Sequence, residues 1–201
     1  MVEKLVQFIL IDYHDQSESF SKYFSGISNW TFYMGALDNL KHYDCLVTPG
    51  NSFGDMTGGF DVSVVDLFGE QIQKRVRDLL RKKYPSDDQL DDQSWDSANQ
   101  PIGTSILVET GSVIAKYLCH TPTMESVKSI KDKPNVYMAM NSILYEVLKH
   151  NKARRPQSEY INTVILPFLG TGFGELTYDE SAKQMRSAFV FYKENYPEYF
   201  G

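Results

Sequence analysis

With 201 residues, 42% of them hydrophobic and 13% aromatic, the chain has material for one domain with a substantial core and too much apolar content for a disordered segment. A formal net charge of −6 excludes general nucleic-acid binding, which demands a basic surface. No apolar run approaches the roughly 20 residues that span a bilayer, so no membrane partner is expected, and the expected location is intracellular, cytoplasmic or nuclear.

In chain order, residues 6–11 read as a buried strand that Asp12 ends; they lack the basic leader and small-residue cleavage site of a signal peptide. A short helix is expected over 15–24, then strands over Trp30–Met34 and Cys45–Thr48, bridged by 35–41. Residues 60–84 carry one apolar stripe at helical spacing (Val64, Phe68, Ile72, Val76, Leu80) and predict a single helix stopped by Pro85. Residues 86–100 hold five aspartates and read as a solvated, mobile acidic loop, in which Trp95 is a candidate ligand cover. Residues 104–110 and 113–119, split by Gly111-Ser112, predict a hairpin. A helix over 136–150, a buried strand over 161–166 and a last helix over 179–196 complete the order. Alternating strands and helices of these lengths predict one α/β domain over residues 1–201, with helices on both faces of a mixed central sheet of about six strands. Cys45 and Cys119 lie in apolar runs and are expected as buried free thiols; with neither a CxxC nor an HExxH pattern, no metal site and no cofactor are expected.

Two glycine-rich loops stand out. One runs Thr48-Pro49-Gly50-Asn51-Ser52-Phe53-Gly54-Asp55-Met56-Thr57-Gly58-Gly59-Phe60-Asp61; the other runs Pro167-Phe168-Leu169-Gly170-Thr171-Gly172-Phe173-Gly174-Glu175. Each follows a strand and precedes a helix, where glycine allows close approach and free N–H groups favour phosphate oxygens. Two such loops suggest a clamp around a ligand with two phosphates. Gly174 is followed by Glu175-Leu176, not Lys-Ser/Thr, which excludes a P-loop, and the glycine spacing does not fit a dinucleotide fingerprint.

These loops resemble the macrodomain family of ADP-ribose-binding α/β/α proteins. Asn51, Gly58, Gly59 and Asp61 match its Asn-containing GG-x-Asp segment; Gly103, Ser105, Thr110 and Gly111, with Pro101 upstream, match its glycine-led hairpin. Tyr117-Leu118-Cys119-His120-Thr121-Pro122 is similar to its strand ending in His, and the second loop to its diphosphate-binding turn. The PGNSFGxMxGGFD form resembles a fungal and phage-type branch assigned as ADP-ribose 1″-phosphate phosphatases. Where many members have Gly-Asp-Ile-Thr with an adenine-binding aspartate, this chain has Gly35-Ala36-Leu37-Asp38; Asp12 or Asp38 is then the substitute, with Asp12 preferred.

The resemblance implies binding of ADP-ribose or a derivative, with ADP-ribosylated macromolecules as further partners, and hydrolysis or simple recognition of that ligand. The catalytic candidates are Asn51, orienting the distal ribose, and Asp61, positioning water. Gly50, Ser52, Gly58, Gly59, Gly170, Thr171, Gly172, Phe173 and Gly174 join Asp12 as ligand-binding candidates. Bland readings stand beside these: Asn51 as a turn residue, Asp61 as a helix-start carboxylate, His120 as a structural histidine rather than a proton donor.

Overall fold

The computed structural model describes residues 5–85, 98–153 and 156–201. Strands β1 (Gln7–Asp12), β2 (Trp30–Met34), β3 (Cys45–Thr48), β4 (Ile106–Glu109), β5 (Tyr117–His120) and β6 (Thr163–Pro167) form one sheet in the order β2-β1-β6-β3-β5-β4. Neighbours pair in parallel except β4, which runs antiparallel to β5 with Ile106 opposite His120 and Glu109 opposite Tyr117.

Side chains alternate between the two faces of a strand, and a sheet covered on both faces needs apolar residues on both. Phe8, Leu10, Cys45, Val47, Cys119, Val164 and Leu166 pack on one side with α1 (Ser17–Phe24), α4 (Asn135–Lys152), α5 (Tyr178–Asn195) and α6 (Pro197–Phe200). Ile11, Leu46, Ile106, Leu118 and Ile165 pack on the other side with α2 (Phe60–Phe68) and α3 (Gln71–Lys83). The three-layer α/β/α arrangement with a mixed six-stranded sheet is the one the sequence predicts. Trp30 anchors the first core: Phe24 and Phe8 stack on it at 4.1 and 4.8 Å, and Phe189 meets it edge-on at 5.3 Å.

Two local expectations are corrected. The helix over 60–84 is two helices. Gly69 adopts φ +82°, its amide closes α2 onto the Val65 carbonyl, and its own carbonyl accepts from Ile72 as α3 begins. Left-handed glycine is a common helix terminator, and the apolar stripe carries on across the break, which hides it in the sequence. The hairpin's second strand starts at Tyr117, because residues 110–116 form a wider connection braced by Thr110 Oγ1 against the Ala115 carbonyl. Of the acidic segment over 86–100, residues 86–97, including Trp95, lie outside the described residues. Its end is anchored: Ala98 bridges Pro85, and Gln100 is fully buried.

Candidate functional site

The parallel strands bring Asp12, Thr48, His120 and Pro167 to one edge of the sheet, the edge where open α/β sheets receive ligands. The loops leaving it enclose a cavity of about 500 Å³. Eleven of the twelve residues expected at the site line it: Asp12, Gly50, Asn51, Gly58, Gly59, Asp61, Gly170, Thr171, Gly172, Phe173 and Gly174. Ser52 does not. It is buried beneath the loop, its amide on the Glu125 carbonyl at 3.1 Å and its carbonyl accepting from Gln100 N at 2.9 Å, so its place is in the scaffold.

Asn51 braces the first loop. Its Oδ1 accepts from the amides of Phe53 and Asp55 at 3.0 and 3.1 Å, and its Nδ2 donates to the Asp55 carbonyl at 3.0 Å. This is the turn-holding role, and it leaves a single side-chain N–H uncommitted. Gly58 and Gly59 carry the loop under Phe173: a β-carbon on Gly58 would lie 3.2 Å from that ring. Phe173 therefore links the two loops across the cavity.

The second loop is closed by Leu176 N on the Gly170 carbonyl at 3.1 Å and Glu175 N on the Gly172 carbonyl at 2.9 Å. A β-carbon on Gly174 would fall 2.4 Å from the Gly170 oxygen, so only glycine fits there. One on Gly172 would meet nothing within 4 Å. The amides of Gly170, Thr171, Gly172, Phe173 and Gly174 have no acceptor among the described residues, so this loop brings a run of unpaired donors to the cavity lining. The second loop ends short of the last helix, whose start lies within one residue of the expected 179. α5 starts at Tyr178, and Thr177 Oγ1 caps it by accepting from Glu180 N at 3.1 Å, so the donors here belong to the loop and not to a helix end.

Asp61 is 6% exposed and accepts a short hydrogen bond from Thr48 Oγ1. Burial pushes its carboxyl up to about 7, helped by the negative charge of Asp55 and opposed by the Thr48 bond. His120, at the end of β5, is fully buried, and burial alone pushes it down to about 4. Its Nδ1 faces Gln100 Oε1 at 2.8 Å, while its Nε2 is buried with no partner among the described residues. Gly50 separates the pair: a β-carbon there would stand 2.6 Å from His120 Nε2 and 3.3 Å from Asp61 Oδ2. A neutral histidine therefore sits beside a carboxyl that titrates near neutrality.

Asp12 lines the cavity at the end of β1 and accepts from His14 N at 2.8 Å; Asp38, the other candidate, lies in a 3-10 turn outside it. Beside Asp12, the hydroxyl of the half-exposed Tyr13 meets Ser63 Oγ of α2 at 3.2 Å. Sequence reasoning missed Tyr13, Asp55, Thr123, Met124 and Val127 of the lining. The last three belong to the segment after β5, which clips onto the first loop through Thr123 N to the Gly50 carbonyl at 3.2 Å and an Asn51–Met124 bridge. Their position just beyond a parallel strand was the available signal. Among the described residues no three His, Cys, Asp or Glu side chains converge as a metal ion would require.

An uncharacterized protein of Aquifex aeolicus (strain VF5) is 26% identical over 142 residues, covering 71% of this chain and 70% of that one. The solved macrodomain of Mycobacterium tuberculosis DarG superposes with a TM-score of 0.60 at 18% identity, covering 80% of this chain and 90% of that one. Thermosipho africanus DarTG in complex with ADP-ribose superposes with a TM-score of 0.53 at 16% identity, covering 74% of this chain and 35% of that one. The family model described as the Macro domain matches residues 47–185, a stretch that holds both glycine loops, and the chain belongs to that family.

Proposed function

We propose that the protein binds ADP-ribose or an ADP-ribose derivative in this cavity and hydrolyses it, with ADP-ribose 1″-phosphate as the substrate. The carrying observation is Asp61: a buried carboxyl titrating near neutral pH, in a cavity that the second glycine loop also lines with unpaired amides. Family membership and the ADP-ribose held by the Thermosipho africanus relative support the ligand class. The amides of Thr171, Gly172 and Phe173 hold the diphosphate, and their fixed dipoles require no reorganisation as charge develops. Asp12 faces the adenine end, and the Asp61 end receives the distal ribose. There the Asp61 carboxylate takes a proton from water as the water oxygen bonds to the terminal phosphorus. The bond from phosphorus to the ribose 1″ oxygen breaks, that oxygen is protonated by solvent, and ADP-ribose and inorganic phosphate leave.

Calorimetric titration with ADP-ribose is expected to show saturable 1:1 binding. Phosphate release from ADP-ribose 1″-phosphate is expected to fall at least about 100-fold in Asp61→Asn with binding retained, the usual scale for a lost general base. Tight binding without product from ADP-ribose 1″-phosphate or ADP-ribosylated protein would make the chain a reader module. No binding at millimolar ADP-ribose would overturn the reading.

A further inference from the structure

Gln100, the last residue of the acidic segment, is fully buried. Two carbonyls decide which way its amide faces. Its Nε2 donates to the Thr104 carbonyl at 3.1 Å and the His120 carbonyl at 3.5 Å, which turns Oε1 to His120 Nδ1 at 2.8 Å. An amide oxygen only accepts, so the ring proton of neutral His120 sits on Nδ1 and the lone pair on Nε2. That lone pair and Asp61 Oδ2 form the two walls of the notch that Gly50 leaves open. Gln100 is in turn fixed to the first loop by its amide on the Ser52 carbonyl.

We propose that Gln100 is a positioning residue: it holds His120 as the Nδ1–H tautomer, so that Nε2 offers only a lone pair to the notch it shares with Asp61. The catalytic meaning of this rests on the reading of Asp61 given above; the tautomer rests on hydrogen-bond geometry alone. The surroundings agree with a neutral ring. Thr48 reaches Asp61 from β3 as a neutral donor, Asp55 adds negative charge from the first loop, and burial is the sole influence acting on His120. With Nε2 a pure acceptor, the ring offers no donor to the notch, and the side-chain donor held by Asp61 is Thr48 Oγ1.

Histidine 15N spectra of the full chain without ligand read this directly, with His120→Asn identifying the signal among four histidines. Wild type is expected to show a neutral His120 carrying its proton on Nδ1 from about pH 5 to about pH 8, the range in which an ordinary histidine titrates. In Gln100→Glu a carboxylate faces Nδ1–H and favours the imidazolium, so His120 is expected to titrate inside that range. In Gln100→Met the acceptor is gone, and the Nε2–H form is expected to become a major species. A wild-type His120 protonated on Nε2 overturns the proposal, as does an unchanged Nδ1–H signature in Gln100→Met. Should Gln100→Met fail to fold, the isosteric Gln100→Glu decides, and a His120 that still does not titrate overturns it. ADP-ribose titration of the same wild-type sample keeps the two readings apart: absent binding with the stated tautomer overturns the functional reading and leaves the Gln100 assignment standing.

Discussion

Asp61 is a carboxyl that the fold holds against its own solvation, and the consequence is measurable without a ligand. Its pKa is raised from 3.8 to about 7 in the folded chain, so between those values the native state binds more protons than the unfolded state. Stability must therefore fall as pH rises through this window and stay low above it. Asp61→Asn keeps an oxygen for Thr48 Oγ1 and carries no charge. It is expected to melt above wild type at about pH 8, by the equivalent of a few kcal/mol, with the gap closing as the pH approaches 4. Thermal unfolding of both proteins across that range checks this; a pH-independent gap would remove burial of the charge as the cause. The second loop separates space from strain in the same way. Gly172→Val adds methyl groups into open space, so its melting temperature is expected to stay close to wild type while ADP-ribose binding falls at least about tenfold. Gly174→Ala drives a methyl against the Gly170 carbonyl and is expected to lose about 1–3 kcal/mol of stability in urea unfolding, as overpacking does.

Among the elements, β2 and the helices over it depend on one aromatic stack. Trp30 is 4% exposed and touches rings from β1, α1 and α5, so Trp30→Ala is expected to cost roughly 3–5 kcal/mol, read from the urea midpoint. Its indole Nε1 is buried without a partner among the described residues. Trp30→Phe removes that orphan donor along with some volume, and its cost is expected to stay below about 1.5 kcal/mol. The strands were the most legible elements, because a sheet covered on both faces writes itself as short apolar runs bounded by turn residues. The Gly69 break was not legible. A single left-handed residue ends α2, yet Phe68 and Ile72 remain four apart on one stripe, so helical periodicity passes through the break undisturbed.

On the scale of the whole molecule, the same limit explains what the sequence showed of the site. The glycine loops declared themselves because their conformations demand glycine locally: Gly59 and Gly170 have positive φ, and Gly174 has no room for a side chain. Ser52 and Gln100 did not, because their roles are set by partners from other segments of the chain, Ser52 by Gln100 and Glu125, and Gln100 by Ser52 and His120. Asn51 was visible as a residue of interest, but its commitment to the amides of Phe53 and Asp55 appears only in three dimensions. The wall from Thr123 to Val127 was missed for a related reason: nothing in its own residues marks it, and only the parallel pairing of β5 with β3 brings it to the cavity.

The strand order carries one more consequence, which concerns biosynthesis. β1 and β2 pair early in the chain, β3, β5 and β4 form a second group, and the two are joined only through β6, which pairs with β1 on one side and β3 on the other. A nascent chain that has not yet delivered residues 163–167 holds two sheet fragments with open facing edges, and Asp12 has no fixed position relative to Asp61. The last central strand to be made is also the one that leads into the second glycine loop. Closure of the sheet and assembly of the cavity are thus a single late event, and until it occurs the exposed edges of β1 and β3 are where a chaperone, or a second unfinished copy, would find purchase.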